Sequence, residues 1–136
     1  MQSFEIIANK IQAVLPKDWE KTVFYAEVSD DSYEMFYYVF IPDRETPIQC
    51  YELPNSFEIT EEAIDNIFEE LYEPLIEEQQ ALVTAGKAPW TNYTLVLNSD
   101  GSFKVDYDFT LLDNLGYEYR NAWKSKYLIN LDNPNS

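Results

Sequence analysis

The sequence predicts an α+β fold: an antiparallel sheet of four to five strands with N-terminal, central and C-terminal helices packed on it. Three observations carry this expectation. Aromatic and β-branched runs occur in two pairs, each pair split by a short polar segment of the kind that turns a hairpin. Two long stretches repeat apolar residues at helical spacing. The chain has 136 residues, 46% of them apolar and 16% aromatic, enough for one core and one domain spanning 1–136, with no linker or internal repeat dividing it.

The elements follow in order. Phe4, Ile7, Ala8, Ile11, Val14 and Leu15 recur with helical period, and Pro16 ends the pattern, giving a helix over 4–15. Thr22 to Val28 and Tyr33 to Ile41 read as strands joined by the turn residues Ser29-Asp30-Asp31-Ser32. Pro42, Pro47 and Pro54 leave Ile48 to Leu53 as at most a short edge strand. Thr60 is placed to cap a second helix over 60–84, with Glu61 and Glu62 in the first turn where the helix dipole favours acids. Its apolar stripe is Ile64, Ile67, Phe68, Leu71, Leu75 and Leu82, and Ala85-Gly86 stops it. Pro74 removes one backbone donor, so a kinked helix and two shorter helices are both compatible with the pattern.

Tyr93 to Leu97 and Phe103 to Phe109 alternate around Asn98-Ser99-Asp100-Gly101-Ser102, which predicts a second hairpin. Phe103, Val105, Tyr107 and Phe109 are expected to face inward, and Lys104, Asp106 and Asp108 to share the outer face. Tyr119, Trp123 and Tyr127 suggest a short C-terminal helix, followed by a polar tail over 130–136. The runs Phe36-Tyr37-Tyr38 and Tyr117-Glu118-Tyr119 put rings on both faces of their elements, more than a one-sided core needs.

Composition narrows the function. Twenty-five acids against nine bases give a net charge of −16, which repels phosphate backbones and anionic headgroups, so neither nucleic acid nor membrane is expected as a direct partner. There is no histidine, the single cysteine (Cys50) cannot form an internal disulfide, and no Gly-x-Ser-x-Gly elbow or phosphate-cradling glycine loop is present. Neither catalysis nor a cofactor is expected. The N-terminal segment Met1 to Ile7 lacks a basic region followed by a long apolar run, and no stretch nears the roughly 18 apolar residues of a spanning helix, so a cytoplasmic location is expected.

The charge is also uneven, for between Glu45 and Gly86 stand 11 acids and no Lys or Arg. On a helical wheel Glu62, Glu69, Glu70, Glu73 and Glu77 fall opposite Leu71 and Leu75. Like-charge pairs four apart, Glu69 with Glu73 and Glu73 with Glu77, lose roughly 0.2–0.5 kcal/mol each, so helix stability alone does not choose them. The ridge is either a solubility feature or a contact face for a basic partner. Tyr37, Tyr38 and Trp90 are the candidate aromatic anchors of such a contact. Two readings of other classes stand beside it. Glu27, Asp106 and Asp108 on neighbouring strands form a possible carboxylate set for a metal-dependent hydrolase, and the acidity as a whole suits a regulator that mimics DNA charge.

Five segments carry a resemblance: Trp19-Glu20-Lys21 with Tyr25-Ala26-Glu27-Val28, Pro89-Trp90-Thr91-Asn92-Tyr93-Thr94-Leu95, Gly101-Ser102-Phe103-Lys104-Val105-Asp106-Tyr107-Asp108, and Trp123-Lys124-Ser125-Lys126-Tyr127-Leu128. In this order, over residues 3–130, they resemble the YezG-like antitoxin family. That resemblance implies a cytoplasmic immunity protein, often found as tandem paralogues, that binds and neutralises a cognate toxin, in some members a nuclease exported by a type VII secretion system. It assigns no contact residue. The cognate toxin and the oligomeric state are not fixed by the sequence.

Overall fold

A computed structural model describes residues 3–111 and 116–128, with side chains of the last segment described from residue 118. Helix α1 (Ser3–Ile11) runs into a 3-10 turn at Gln12–Val14. Strands β1 (Lys21–Val28) and β2 (Tyr33–Phe40) form the first hairpin, and the two-residue strand β3 (Ile48–Gln49) leads into a 3-10 segment at Cys50–Asn55. Helix α2 (Glu61–Thr84), the hairpin β4 (Asn92–Asn98) and β5 (Phe103–Asp108), and helix α3 (Gly116–Tyr127) complete the order. The strands make one antiparallel sheet in the order β3-β2-β1-β4-β5.

The local chemistry explains the boundaries. Thr60 Oγ1 accepts from the Ala63 N–H at 3.0 Å, satisfying one of the donors orphaned at the start of α2. Gly86 adopts a left-handed φ of 81° at the other end, where its N–H bonds to Val83 and that of Lys87 to Leu82, a Schellman closure. Pro74 lies within a single continuous helix, so the alternative of two shorter helices does not hold.

Two apolar layers sandwich the sheet. On one face α1 and α2 cover Phe24, Ala26, Val28, Met35, Tyr37, Val39, Tyr93, Leu95 and Leu97. On the other, Trp123 and Tyr127 of α3 pack on Val23 and Tyr25, with Phe36, Tyr38, Phe40 and Val96 around them. Central β1, covered on both sides, is consequently buried almost throughout rather than at alternate positions.

The outer face that carries Asp106 and Asp108 is therefore covered, and its polar groups receive α3. Tyr119 donates to Asp108 with its hydroxyl 2.8 Å from Asn92 Oδ1, Trp123 Nε1 donates to Thr94 Oγ1 at 2.9 Å, and Tyr127 to Asp106. Four-residue spacing on the helix thus meets a row of acceptors on β4 and β5. The expected inward row of β5 also needs correction. Phe103 and Tyr107 lie on the α1/α2 side yet stay 46% and 41% exposed, and Phe109 is exposed too. β5 is the edge of the sheet and the helical layer only fringes it, with Phe103 stacked on Phe4 and Tyr107 on Trp90.

Candidate partner-binding surface

The α2 helix turns Ile64, Phe68, Leu71 and Leu75 into the core, which leaves Glu62, Glu69, Glu73 and Glu77 on its exposed side. Glu70 behaves differently: its carboxylate meets Lys10 Nζ of α1 at 2.8 Å and belongs to the helix–helix contact rather than to a free ridge. Glu78 turns inward. Its Oε2, the Tyr93 hydroxyl and Trp90 Nε1 are buried without hydrogen-bond partners of ordinary geometry among the described residues. Burial pushes the Glu78 carboxyl above its usual range, and the Tyr93 and Tyr107 hydroxyls facing it offset part of that rise.

The acidic side of α2 continues into the β1–β2 turn. Tyr72 of α2 donates to the Ser29 carbonyl, and its ring lies 5.8 Å from that of Tyr33. Asp30, Asp31, Ser32, Tyr33, Glu69 and Tyr72 line a groove of about 320 Å³ between helix and turn. The negative surroundings show in Tyr33 itself, whose hydroxyl is pushed upward by burial and then by Glu69 and Asp65. Buried Gln79 anchors this end of α2, donating to the Trp90 carbonyl at 2.9 Å. Exposed carboxylates beside aromatic faces form a surface suited to lysine and arginine side chains, which gain from both the charge and the ring quadrupole.

The aromatic anchors expected from the sequence are placed elsewhere. Tyr37 is fully buried under the helices and donates to the Val14 carbonyl at 2.7 Å, and Trp90 is buried against Tyr93 and Tyr107. Both are core residues, so neither presents a ring to a partner. Tyr38 is half-buried on the opposite face, against Trp123. Tyr33 and Tyr72 were not singled out by the sequence reading, although both stand beside the acids that were. Their position at the junction of turn and helix distinguishes them, and that position depends on contact between distant segments.

The carboxylates considered for a metal are engaged individually. Glu27 accepts from Tyr25 and lies 3.6 Å from Arg120, which also pairs with Glu34, while Asp106 and Asp108 accept from Tyr127 and Tyr119. Partial burial raises Asp108, but bonds from Thr110 and Tyr119 outweigh it and hold the carboxyl below its ordinary value. Among the described residues no three Asp, Glu or Cys side chains converge as a metal site. Burial pushes the Cys50 thiol up to about 11, the opposite of what a nucleophile requires.

A family model for YezG-like immunity proteins matches residues 1–135, and the chain belongs to that family. An immunity protein YezG of Bacillus spizizenii is 33% identical over 106 residues, covering 78% of this chain and 66% of that protein. A second immunity protein YezG, from Bacillus subtilis, is 29% identical over 92% of this chain and 85% of its own length. The type VII secretion system protein EsaG of Staphylococcus aureus is 24% identical over 89% of this chain and 73% of its own. Among the described residues no helix is long and apolar enough to cross a membrane.

Proposed function

We propose that this chain is a cytoplasmic immunity protein that binds and neutralises a cognate toxin, a nuclease exported by a type VII secretion system, and that it acts by contact without catalysis. The observation that carries the reading is the exposed acidic side of α2 running into the Tyr33–Tyr72 groove. A nuclease attracts phosphate with a basic surface, and an acidic protein seated there competes for the same field. Glu62, Glu69, Glu73 and Glu77 would steer the encounter, while Tyr33 and Tyr72 would supply the ring surface that Tyr37 and Trp90 do not. Family membership and the names of the Bacillus relatives support the immunity role, and the name of the Staphylococcus relative supports the link to type VII secretion.

The test is co-purification with the product of the adjacent toxin gene, followed by a nuclease assay with and without this chain. Stable capture with loss of DNA degradation is expected. Capture of a DNA-binding regulator in its place would favour the charge-mimic reading. Metal-dependent hydrolysis by this chain alone, abolished by Asp106→Asn, would overturn the non-catalytic one.

A further inference from the structure

The sheet ends at β5, and among the described residues no strand pairs with its outer side. Its backbone phase can be read from the hairpin. Asn98 N–H reaches the Ser102 carbonyl at 2.9 Å and Thr91 N–H the Asp108 carbonyl at 2.8 Å, so the even-numbered peptide groups turn toward β4. Antiparallel alternation then sends the N–H and C=O groups of Phe103, Val105 and Tyr107 outward. The two aromatic side chains of these residues are more than two-fifths exposed. Edges of this kind template the addition of another strand unless something blunts them, and no proline interrupts 103–108.

We propose that a second copy of this chain adds to β5 antiparallel, with Val105 on the two-fold axis, so that two five-stranded sheets become one. The charges select this register. With Val105 opposite its equivalent, Lys104, which is largely exposed and lies 3.6 Å from Asp106 of its own strand, also faces Asp106 of the second copy, and the reverse pair repeats across the axis. Phe103 then faces Tyr107, and all three outward residues meet in hydrogen-bonded positions. Centring on Phe103 instead sets Asp106 against Asp100, and centring on Tyr107 sets Asp106 against Asp108, both repulsive. A pattern that is complementary to itself in one register and frustrated in its neighbours fits a second copy better than an arbitrary strand. The net charge of −16 on each copy opposes this contact, and salt screens that repulsion. Dimerisation therefore strengthens as salt rises, whereas charge-steered toxin association weakens.

Sedimentation velocity over a concentration series at low and high salt tests the proposal. A monomer–dimer equilibrium that shifts toward dimer with salt is expected. Val105→Pro removes an outward N–H while leaving the β4 ladder intact, so it should give a monomer with an unchanged far-UV spectrum. Lys104→Glu and Asp106→Lys should each weaken self-association about tenfold, yet associate with one another when mixed, because both cross-strand pairs are restored. The mixing arm also distinguishes a lost contact from a folding defect, since a misfolded variant cannot rescue its partner. A wild-type chain that stays monomeric under all these conditions overturns the proposal, as does a dimer that survives Val105→Pro. Amide protection at Val105 and Tyr107 that appears only on addition of the toxin overturns it in favour of a toxin strand on the same edge.

Discussion

Glu78 shows how one side chain can leave an otherwise regular acidic helix. Its neighbour Glu77 is exposed, while Glu78 is drawn against Tyr93 and Tyr107 and its carboxyl is raised by burial. A carboxyl raised in the folded state contributes stability that is complete below its unfolded pKa of about 4.3 and is lost as pH climbs through the folded value. Glu78→Gln needs no buried charge, so its denaturation midpoint should match the wild type in acid and exceed it progressively as pH rises across that window. A difference independent of pH would mean that the carboxyl ionises as freely in the fold as in water. The same inward placement explains why residue-level reading of the aromatics went astray. Tyr37 and Trp90 have the chemistry of interface anchors, and nothing local says that the Tyr37 hydroxyl finds Val14, 23 positions away in sequence.

Elements were more legible than residues wherever period and punctuation agreed. The 60–84 helix had a capping threonine, an apolar stripe and a closing glycine, and both hairpins had strand-forming runs, aromatic and β-branched in the first and alternating in the second, on each side of a polar turn. Thr60→Ala should accordingly cost about 1 kcal/mol in denaturant unfolding, because one cap bond is removed and no packing changes. Position in the sheet was not legible, since strand order depends on contacts between distant segments. That is why β5 was expected to bury its aromatic row and α3 was not foreseen as the partner of Asp106 and Asp108. The helix rests on Trp123, which is buried against Tyr25, Phe36 and Tyr127. Trp123→Ala should cost about 3–5 kcal/mol, read by chemical denaturation, because it empties the centre of the second apolar layer.

Across the described residues, charge and packing are separated: the acids of α2 crowd one outer surface while apolar layers cover both faces of the central strands. Reversing Glu69, Glu73 and Glu77 to Lys moves the net charge from −16 to −10, two for each reversal, and touches no core residue. Stopped-flow mixing with the toxin should show a slower association and a flatter salt dependence, while the midpoint of unfolding stays equal or rises slightly as like-charge pairs disappear. An unchanged association rate at every salt concentration would assign the ridge to solubility alone. The sandwich also has an order in time. The cover for Val23, Tyr25, Phe36 and Tyr38 comes from α3, which is synthesised after every other described element. Until α3 leaves the ribosome, a strip of aromatic sheet lies open to other nascent chains. A ribosome stall or premature stop before Trp123 would therefore release an aggregation-prone product, even though every residue of the acidic surface had already been made.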